Sequence, residues 1–434
     1  MTSISPQDRL HRLATGLDRL DDVAGYQLNW TDAKSLRGGF VNKELGDIYH
    51  PIKAMDYQGG NFSMAFKNGS IARGTLSLNS TVERIMDVAR HIAYRDKEPL
   101  ALAKPEPDYT PPELADEAII NLIEKEPSSI TRFVRELHEA SQSIGVENVE
   151  GDMTLSHSRS AFVNSKGASY ISEQTGQESI VAFDSDIIQE KKSRKHYEIP
   201  SLHKRLEYIG DFAKNIAQPR KGDKPGVYPI LIGPDDSGSI LDRFVGNSLG
   251  GLSVDSRTGK FTPEDFTAKR MVFNPRISLK AEQCVDYSSE GFAFTSDGVV
   301  PQNFEVIKEG RLVEPICSPR IAQKLALPAR ALGSLSECSV QGAIDYGVFA
   351  ANHDRFIIVL GAMGIHTQNS ILGNYSLPSP YAIMVEHGKL VGGVNCVLSG
   401  NIFEALVSDD FNFVKMPLAY DKPLISFKSQ VTFK

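Results

Sequence analysis

The feature of the sequence that most restricts its fold is a period-two alternation of apolar and polar residues that begins after Gly151. Successive side chains of a β-strand point to opposite faces, so this alternation predicts strands with one covered face and one polar face. Three strands are predicted in succession, over Asp152–Ser165, Ala168–Gln174 and Gln177–Asp184, with Lys166–Gly167 as the turn between the first two. Because such short connections join antiparallel neighbours, we expect an antiparallel sheet.

A second hairpin is predicted earlier in the chain, where Asn68–Gly69 separates the apolar runs Phe62–Phe66 and Ile71–Leu78. Asn-Gly is a strong hairpin signal because both residues accept the positive φ angles of a type I′ turn. Ser80 and Glu83 then match a capping box, which predicts the start of a helix. Further helices are predicted over Pro111–Glu126, Ser128–Ile144 and Leu202–Ala217.

The stretch Gln218–Pro229 is rich in proline and glycine and is the best candidate for a linker between domains. A chain of 434 residues is long enough for two hydrophobic cores. We therefore predict an α+β fold with two domains. The N-terminal domain, residues 1–217, combines an antiparallel sheet with helices, and the C-terminal domain, residues 218–434, is richer in strand.

The composition indicates an ordinary globular protein, with 41% hydrophobic and 23% charged residues. The net charge of −7 gives no attraction for nucleic acid or anionic lipid. No apolar segment predicts a signal peptide or a membrane span, so we expect a cytoplasmic protein. The four cysteines contain no C-x-x-C pair, which fits a reducing compartment and argues against a cysteine-built zinc site.

One partial metal motif occurs in the first half of the chain. His138–Glu139 starts an H-E-x-x-H pattern, but the position of the second histidine is Gln142. Two imidazoles on one helix face are needed to hold the metal, so we interpret His138 as a packing residue of an ordinary helix.

Gly246–Gly250 matches the G-x-S-x-G nucleophile elbow, with Ser248 at the serine position. That elbow requires a strand that runs directly into the serine, whereas Ile240–Val245 shows helical spacing. A free-standing serine hydrolase that uses Ser248 remains an alternative, because acids and histidines follow in the required order. They are Asp286, Asp345, His366 and His387.

The second half carries several motifs in a fixed order. They are Ser289–Gly291, Phe304–Leu312, Gly364–Asn369, Gly373–Ser376, Val385–Leu390 and Ser399–Asn401. This order resembles the TldD/PmbA family of zinc peptidases and modulators of DNA gyrase, in which D-x-E-G precedes G-x-G-x-N-x-x-T-G-D-F-S, I-E-N-G-K and G-N. Ala161–Gly167 resembles a strand motif of the same family, so the resemblance covers most of the chain.

Members of the TldD branch carry H-E-x-x-G-H near the start of the second domain, and Gly238–Leu249 is in register with that segment. Asp242 and Asn247 stand at the two histidine positions, and Arg243 stands at the glutamate. A guanidinium stays protonated and does not take a proton from water, and two lone oxygens beside it make a poor metal site. The family's late cysteine ligand has no counterpart in Phe411–Lys434. The resemblance thus implies no catalytic residue, metal ligand or cofactor in this chain.

This pattern is similar to the TldE (PmbA) branch, whose members pair with a zinc-bearing TldD subunit. The resemblance implies a non-catalytic subunit of a zinc metallopeptidase complex that acts on unfolded peptides, with the zinc held by the partner. It also implies a homodimer when the chain is alone and a heterodimer when the zinc subunit is present. A self-associating scaffold without a peptidase partner remains a further alternative.

Overall fold

The computed structural model of the protein describes residues 4–47, 50–96, 100–184, 187–221 and 223–434. Within those ranges, the first half of the chain forms one sheet with helices on it. The strands are β1 (Val23–Val41), β2 (Glu44–Leu45), β3 (Lys53–Phe66), β4 (Ser70–Leu76), β5 (Tyr94–Arg95), β6 (Val149–Asn164), β7 (Ser169–Phe183) and β8 (Ile187–Ser193). The helices are α1 (Pro6–Leu17), α2 (Val82–Ile92), α3 (Glu117–Lys125), α4 (Ser129–Gln142) and α5 (His203–Ile216).

The strand order of this sheet is β5-β4-β3-β1-β6-β7-β8, with β2 paired to β1 and all neighbours antiparallel. The predicted antiparallel sheet is confirmed. Both predicted hairpin turns are present, and Gly69 and Gly167 adopt φ angles of 82° and 89°. The two strands predicted over 168–174 and 177–184 are a single strand, β7, because Gly176 pairs with Ser156 without a break in register.

The start of α2 differs from the prediction by one residue. Thr81 is the N-cap, and its Oγ1 accepts a hydrogen bond from the Arg84 backbone N–H at 3.3 Å. Ser80 Oγ instead accepts from the Ser77 backbone N–H at 2.9 Å, so the predicted capping box of Ser80 and Glu83 was wrong. Because the Ser80 hydroxyl already accepts a hydrogen bond in the preceding turn, the next residue, Thr81, caps the helix.

The helix predicted from Pro111 begins only at Glu117. Leu114 forms a bridge to Gln174 of β7, and this extended pairing delays the helix. Asp116 then caps α3 by accepting from the Ala118 N–H at 3.0 Å. A local pattern does not reveal such a bridge, because its partner lies far along the chain.

The second half contains the remaining strands and short helices of the described residues. The strands are β9 (Gly226–Ile232), β10 (Ser278–Glu282), β11 (Asn303–Lys308), β12 (Arg311–Leu312), β13 (Ser339–Gln341), β14 (Ile344–Asp345), β15 (Arg355–Gly361), β16 (Asn374–Glu386), β17 (Lys389–Asn401), β18 (Asn412–Lys415) and β19 (Leu424–Phe433). The helices are α6 (Pro234–Leu241), α7 (Asn247–Leu249), α8 (Gly251–Asp255), α9 (Pro263–Thr267), α10 (Pro319–Leu325), α11 (Tyr346–Ala351) and α12 (Ile402–Val407).

The larger sheet of the second half closes on itself. Its order is β14-β18-β19-β17-β16-β15-β9, and β9 also pairs with β19. Strands β9, β15, β16, β17 and β19 therefore form a closed ring, in which β9 is parallel to β15 and antiparallel to β19. A four-stranded sheet, β12-β11-β10-β13, packs beside it around one apolar core. The predicted strand-rich C-terminal half is confirmed.

A second apolar cluster extends across both halves of the chain. It joins Phe133 of α4 and Leu206 of α5 to Leu231 of β9 and Phe356 of β15. Helix α5 lies between β8 on one side and β16 and β17 on the other. The proposed boundary at residues 217/218 falls between α5 and β9, and Gly222 of the predicted linker lies outside the described residues.

The segment after α5 is held by charged side chains. Asp223 is paired with both Arg220 and Arg355, and its side chain is only 5% exposed. Both arginines also contact Glu386 at the end of β16, at 2.8 and 3.0 Å. This network ties the segment to the closed ring. Among the described residues, no helix is long and apolar enough to cross a membrane.

Candidate functional site

The segment that was predicted to correspond to the family's metal motif lies on a helix that changes its winding. Helix α6 continues into a π-helical turn over Asp242–Gly246, and α7 follows. The backbone N–H of Asn247 donates to the carbonyl oxygen of Asp242, five residues earlier. In a regular α-helix a spacing of five leaves two side chains about 140° apart around the axis. In the π turn, by contrast, Asn247 lies one helical turn beyond Asp242 and on the same side of the helix axis. Such turns are frequent at functional sites.

The glycine at position 246 lies inside this π turn. Gly246 leaves room for the Asp242 carboxylate, because a Cβ atom there would lie 3.0 Å from Asp242 Oδ1. The glycine of the family pattern thus has a packing role that is independent of metal binding.

Asp242 is already engaged within the fold. Its Oδ1 accepts a hydrogen bond from the Leu335 backbone N–H at 2.8 Å. Arg243 turns to the other side, where its guanidinium donates to the Gln368 carbonyl oxygen. The side chain of Asn247 is exposed. One bound carboxylate, one exposed amide and an adjacent guanidinium do not fit a zinc ion, which prefers nitrogen and sulfur ligands.

Cys338 is the cysteine whose thiol is influenced by the charge of Asp242. Burial, with Glu337 and Asp242 as smaller contributions, raises the pKa of Cys338 to about 12. In the metal-free chain this thiol is therefore protonated at neutral pH and is a poor nucleophile. Within the described ranges, no three His, Cys, Asp or Glu side chains group closely enough to hold a metal ion.

Ser248 does not occupy a nucleophile elbow. It lies on α7, its residue is only 2% exposed, and no strand runs directly into it. Its Oγ accepts from the Lys260 backbone N–H at 3.0 Å and lies 3.5 Å from the Phe244 carbonyl oxygen. These contacts give the hydroxyl a structural role.

The downstream residues that were required for a serine hydrolase lie apart from these contacts. Asp286 accepts from the Glu113 backbone N–H at 2.8 Å. His366, Asp345 and His387 are exposed, and His387 faces the carboxylate of Asp354 at 3.7 Å.

The partial motif on α4 also has a structural explanation. His138 Nε2 lies 2.7 Å from the Asn42 carbonyl oxygen, and its ring packs edge-on against Phe40. Glu139 is exposed. Both observations agree with the interpretation of His138 as a packing residue.

The late sequence motifs build the loops around this helix. Gly373 adopts a φ angle of 80°, and a Cβ atom there would collide with the Phe403 ring. Asn401 caps α12 by accepting from the Phe403 N–H at 3.0 Å, and its Nδ2 donates to the Leu372 carbonyl oxygen at 2.9 Å. These motif residues therefore have structural roles in the loops.

A cleft of about 340 Å³ lies where the parallel strands β9 and β15 end. Its walls come from both halves of the chain, with Ile188 of β8 opposite Asp235, Tyr381 and Tyr420. No sequence pattern predicted this cleft. The available signal was Asp235–Asp236, two acids that follow the strand β9 after Gly233 and Pro234.

The architecture is similar to that of known proteins. Residues 225–418 match the family model described as the PmbA/TldA metallopeptidase C-terminal domain. No curated protein matches the sequence. The second half therefore has the architecture of a metallopeptidase domain, joined to an N-terminal antiparallel sheet.

Three crystal structures share the fold across nearly the whole chain. A candidate modulator of DNA gyrase from Bacteroides thetaiotaomicron has 14% identity and a TM-score of 0.79, with 100% of both chains covered. TldE from Thermococcus kodakarensis has 15% identity and a TM-score of 0.76, covering 98% of this chain and 99% of that one. A candidate DNA gyrase modulator from Thermotoga maritima has 17% identity and a TM-score of 0.75, with 98% and 99% coverage. Residues 225–418 thus carry the C-terminal domain of the PmbA/TldA metallopeptidase family, and the whole chain shares the fold of these three structures.

Proposed function

We propose that this chain is a non-catalytic, TldE-like subunit of a zinc metallopeptidase complex that acts on unfolded peptides. The observation that supports this proposal best is the π turn that keeps Asp242 and Asn247 on one side without zinc-binding imidazoles. Arg243 replaces the general base and is bound to a backbone carbonyl oxygen. The fold match to TldE agrees with this role.

The proposed partner is a TldD-like subunit that carries the complete histidine motif and the zinc. This chain would enclose or present the peptide while the partner cleaves it, in the cytoplasm. Alone, the chain would form a homodimer, because a strand-rich half with uncovered sheet edges gains from a two-fold partner.

Co-expression with a zinc-bearing paralogue tests the proposal. We expect the two chains to co-purify in equal amounts, with one zinc per pair and cleavage of unfolded peptide only by the pair. Light scattering of the isolated chain at micromolar concentration should give a dimer mass. A monomer mass that persists after the paralogue is added would contradict the partner role.

A free-standing serine hydrolase is the alternative that the site supports least, since the Ser248 hydroxyl is buried and hydrogen-bonded. A fluorophosphonate probe distinguishes the two proposals. If the probe does not label the wild-type protein, the result supports the subunit role. If it labels the wild-type protein stoichiometrically and Ser248→Ala removes the label, the result favours the hydrolase.

A further inference from the structure

Two consecutive acids at the start of α6 have different surroundings. Asp236 Oδ2 accepts a hydrogen bond from the Ala362 backbone N–H at 2.7 Å and so fixes the loop after β15. Asp235, in contrast, has no ion pair within 4 Å and no hydrogen bond to any other described residue. Its carboxylate lines the cleft between the two halves of the chain.

The walls around Asp235 are mainly apolar and aromatic. Ile188 of β8, Leu360 and Met363 contribute aliphatic surface, and Tyr381 and Tyr420 contribute aromatic rings. Met363 is 61% exposed, so this end of the cleft is open to solvent. A carboxylate beside aromatic rings and aliphatic walls suits a ligand with a long apolar stem and a positive end.

A second chamber of about 80 Å³ continues the cleft and shares Asp235 and Tyr420 with it. Its cations already have carboxylate partners. Lys192 contacts Glu178 and Glu190 at 3.2 and 2.6 Å. Lys422 contacts Glu290 at 3.1 Å.

The acids that line the two chambers outnumber the bases. They are Asp235, Asp236, Glu190, Glu290 and Asp421, against Lys192 and Lys422. Asp421 has Arg205 as its partner outside the lining, so the surplus negative charge lies mainly at the α6 end of the cleft, where Asp235 has no ion pair within 4 Å to any residue that the structure describes.

Asp235 is itself exposed at the mouth of the cleft, and partial desolvation by the surrounding walls is the largest influence that raises the pKa of its carboxyl group. The charge of Glu190 raises the pKa further, while Lys422 and Lys192 oppose this effect. An ionised carboxylate in such surroundings is stabilised by a cation that enters from solution.

We propose that this cleft binds a basic side chain of an extended peptide, with its cationic end at Asp235 and its stem between Ile188 and Tyr381. The choice of a peptide as the carrier of the cation rests on the proposed function. An arginine suits the cleft best, because its planar guanidinium stacks on the tyrosine rings and pairs with the carboxylate. Charge complementarity thus makes the cleft a determinant of peptide preference.

Fluorescence anisotropy with two labelled peptides tests this inference on the isolated chain. Both are short glycine and serine sequences, one with a single central arginine and the other with citrulline, which has the same shape without the charge. We expect the arginine peptide to bind wild-type protein about tenfold more tightly, which corresponds to roughly 1.4 kcal/mol. Equal affinities, or no detectable binding of the arginine peptide, would overturn the inference.

Asp235→Asn should remove the preference for arginine and leave the affinity for the citrulline peptide unchanged. Asp354→Asn is the matched control, because its side chain is 93% exposed and it precedes β15 at the opposite end from the cleft. A preference that survives Asp235→Asn would also overturn the inference. Thermal unfolding of both variants establishes that they are folded.

Free spermidine distinguishes a peptide site from a general polyamine site. The inference requires that spermidine, added at the same concentration as the arginine peptide, displace that peptide only weakly. Complete displacement at this concentration would overturn the peptide assignment. Pairing with the zinc paralogue is a separate measurement. A chain that pairs but shows no arginine preference loses only this inference, and a chain that discriminates but does not pair loses only the proposed partner role.

Discussion

The guanidinium of Arg243 binds the carbonyl oxygen of Gln368, with Nη2 at 2.7 Å and Nε at 3.2 Å. The Gln368 side chain in turn donates to the Gly364 carbonyl oxygen at 3.0 Å and accepts from the Ser376 N–H at 3.2 Å. Arg243 thus anchors the loop that contains Gln368.

Removing this anchor should destabilise the protein. We expect Arg243→Met to lower the free energy of unfolding by about 2 kcal/mol, because a charge-assisted hydrogen bond is lost and a carbonyl oxygen is left without it. Arg243→Lys keeps the charge but not the two-donor geometry, so it should lose less. Urea denaturation at neutral pH measures both. Unchanged stability in Arg243→Met would show that the loop does not depend on this contact.

The metal content of the isolated chain is a direct prediction from the helix. Elemental analysis after gel filtration should find no stoichiometric zinc in the wild-type protein, since Asp242, Arg243 and Asn247 are unsuitable ligands. The triple variant Asp242→His, Arg243→Glu, Asn247→His should acquire weak zinc binding that a chelator removes readily. The π turn would stack the two imidazoles, but the third ligand would still be missing. Tightly held zinc in the wild-type protein contradicts this expectation.

Ser248→Ala should affect stability and not chemistry. The substitution removes the hydroxyl that accepts from the Lys260 N–H, and we expect a loss of about 1 kcal/mol in the free energy of unfolding. Pairing with the zinc paralogue should be unchanged. Chemical denaturation and gel filtration of the variant check the two parts, and a loss of peptidase activity by the complex without a loss of stability would refute them.

The network around Asp223 should contribute far more than an exposed ion pair. Asp223→Ala removes the buried carboxylate that Arg220 and Arg355 share and leaves the two guanidinium groups with Glu386 alone, so we expect a loss of about 3 kcal/mol. Glu305→Ala is the control, since it breaks only an exposed pair with Lys308 and should cost less than about 1 kcal/mol. Similar losses in the two variants, measured by urea denaturation, would refute the importance of the network.

Acid sensitivity should depend on the pair of Arg205 and Asp421. The hydrogen bonds from Arg205 lower the pKa of Asp421 below its ordinary value. A carboxyl group with a lowered folded pKa contributes stability above its unfolded pKa, near 4, and loses that contribution as pH falls through the folded pKa. Arg205→Gln should therefore be less stable than wild type at pH 7, with a smaller difference at pH 3. A difference that is constant with pH would contradict this.

Local patterns predicted the parts of the fold that are determined locally. The alternation of apolar and polar residues after Gly151 predicted the positions of β6 and β7, because each strand has one covered face. The helical spacing of Ile130, Phe133 and Leu137 placed α4, and all three residues are buried. Turn residues such as Gly69 marked hairpins because their backbone conformation requires glycine.

Long-range pairing was not predictable from one sequence. Nothing near Ile230 indicates that it pairs with both Ile357 and Phe427, since its apolar neighbours fit any buried strand. The same limit applies to the cleft, which forms between Ile188 of β8 and Asp235 of α6, from distant parts of the chain. The assignment of Asp242, Arg243 and Asn247 to the family's metal-motif positions stays a prediction. It did not predict the π turn, because winding changes leave no periodic signal.

The closed ring of the second half has a consequence for how the chain is made. β9 has β15 on one side and β19 on the other, and β19 is synthesised long after β9 has left the ribosome. During that interval the apolar strand Gly226–Ile232 has an open edge that is ready to pair with another nascent chain. A message cut short before the codons for Leu424–Phe433 would yield a polypeptide whose ring cannot close, with aggregation or degradation as its fate.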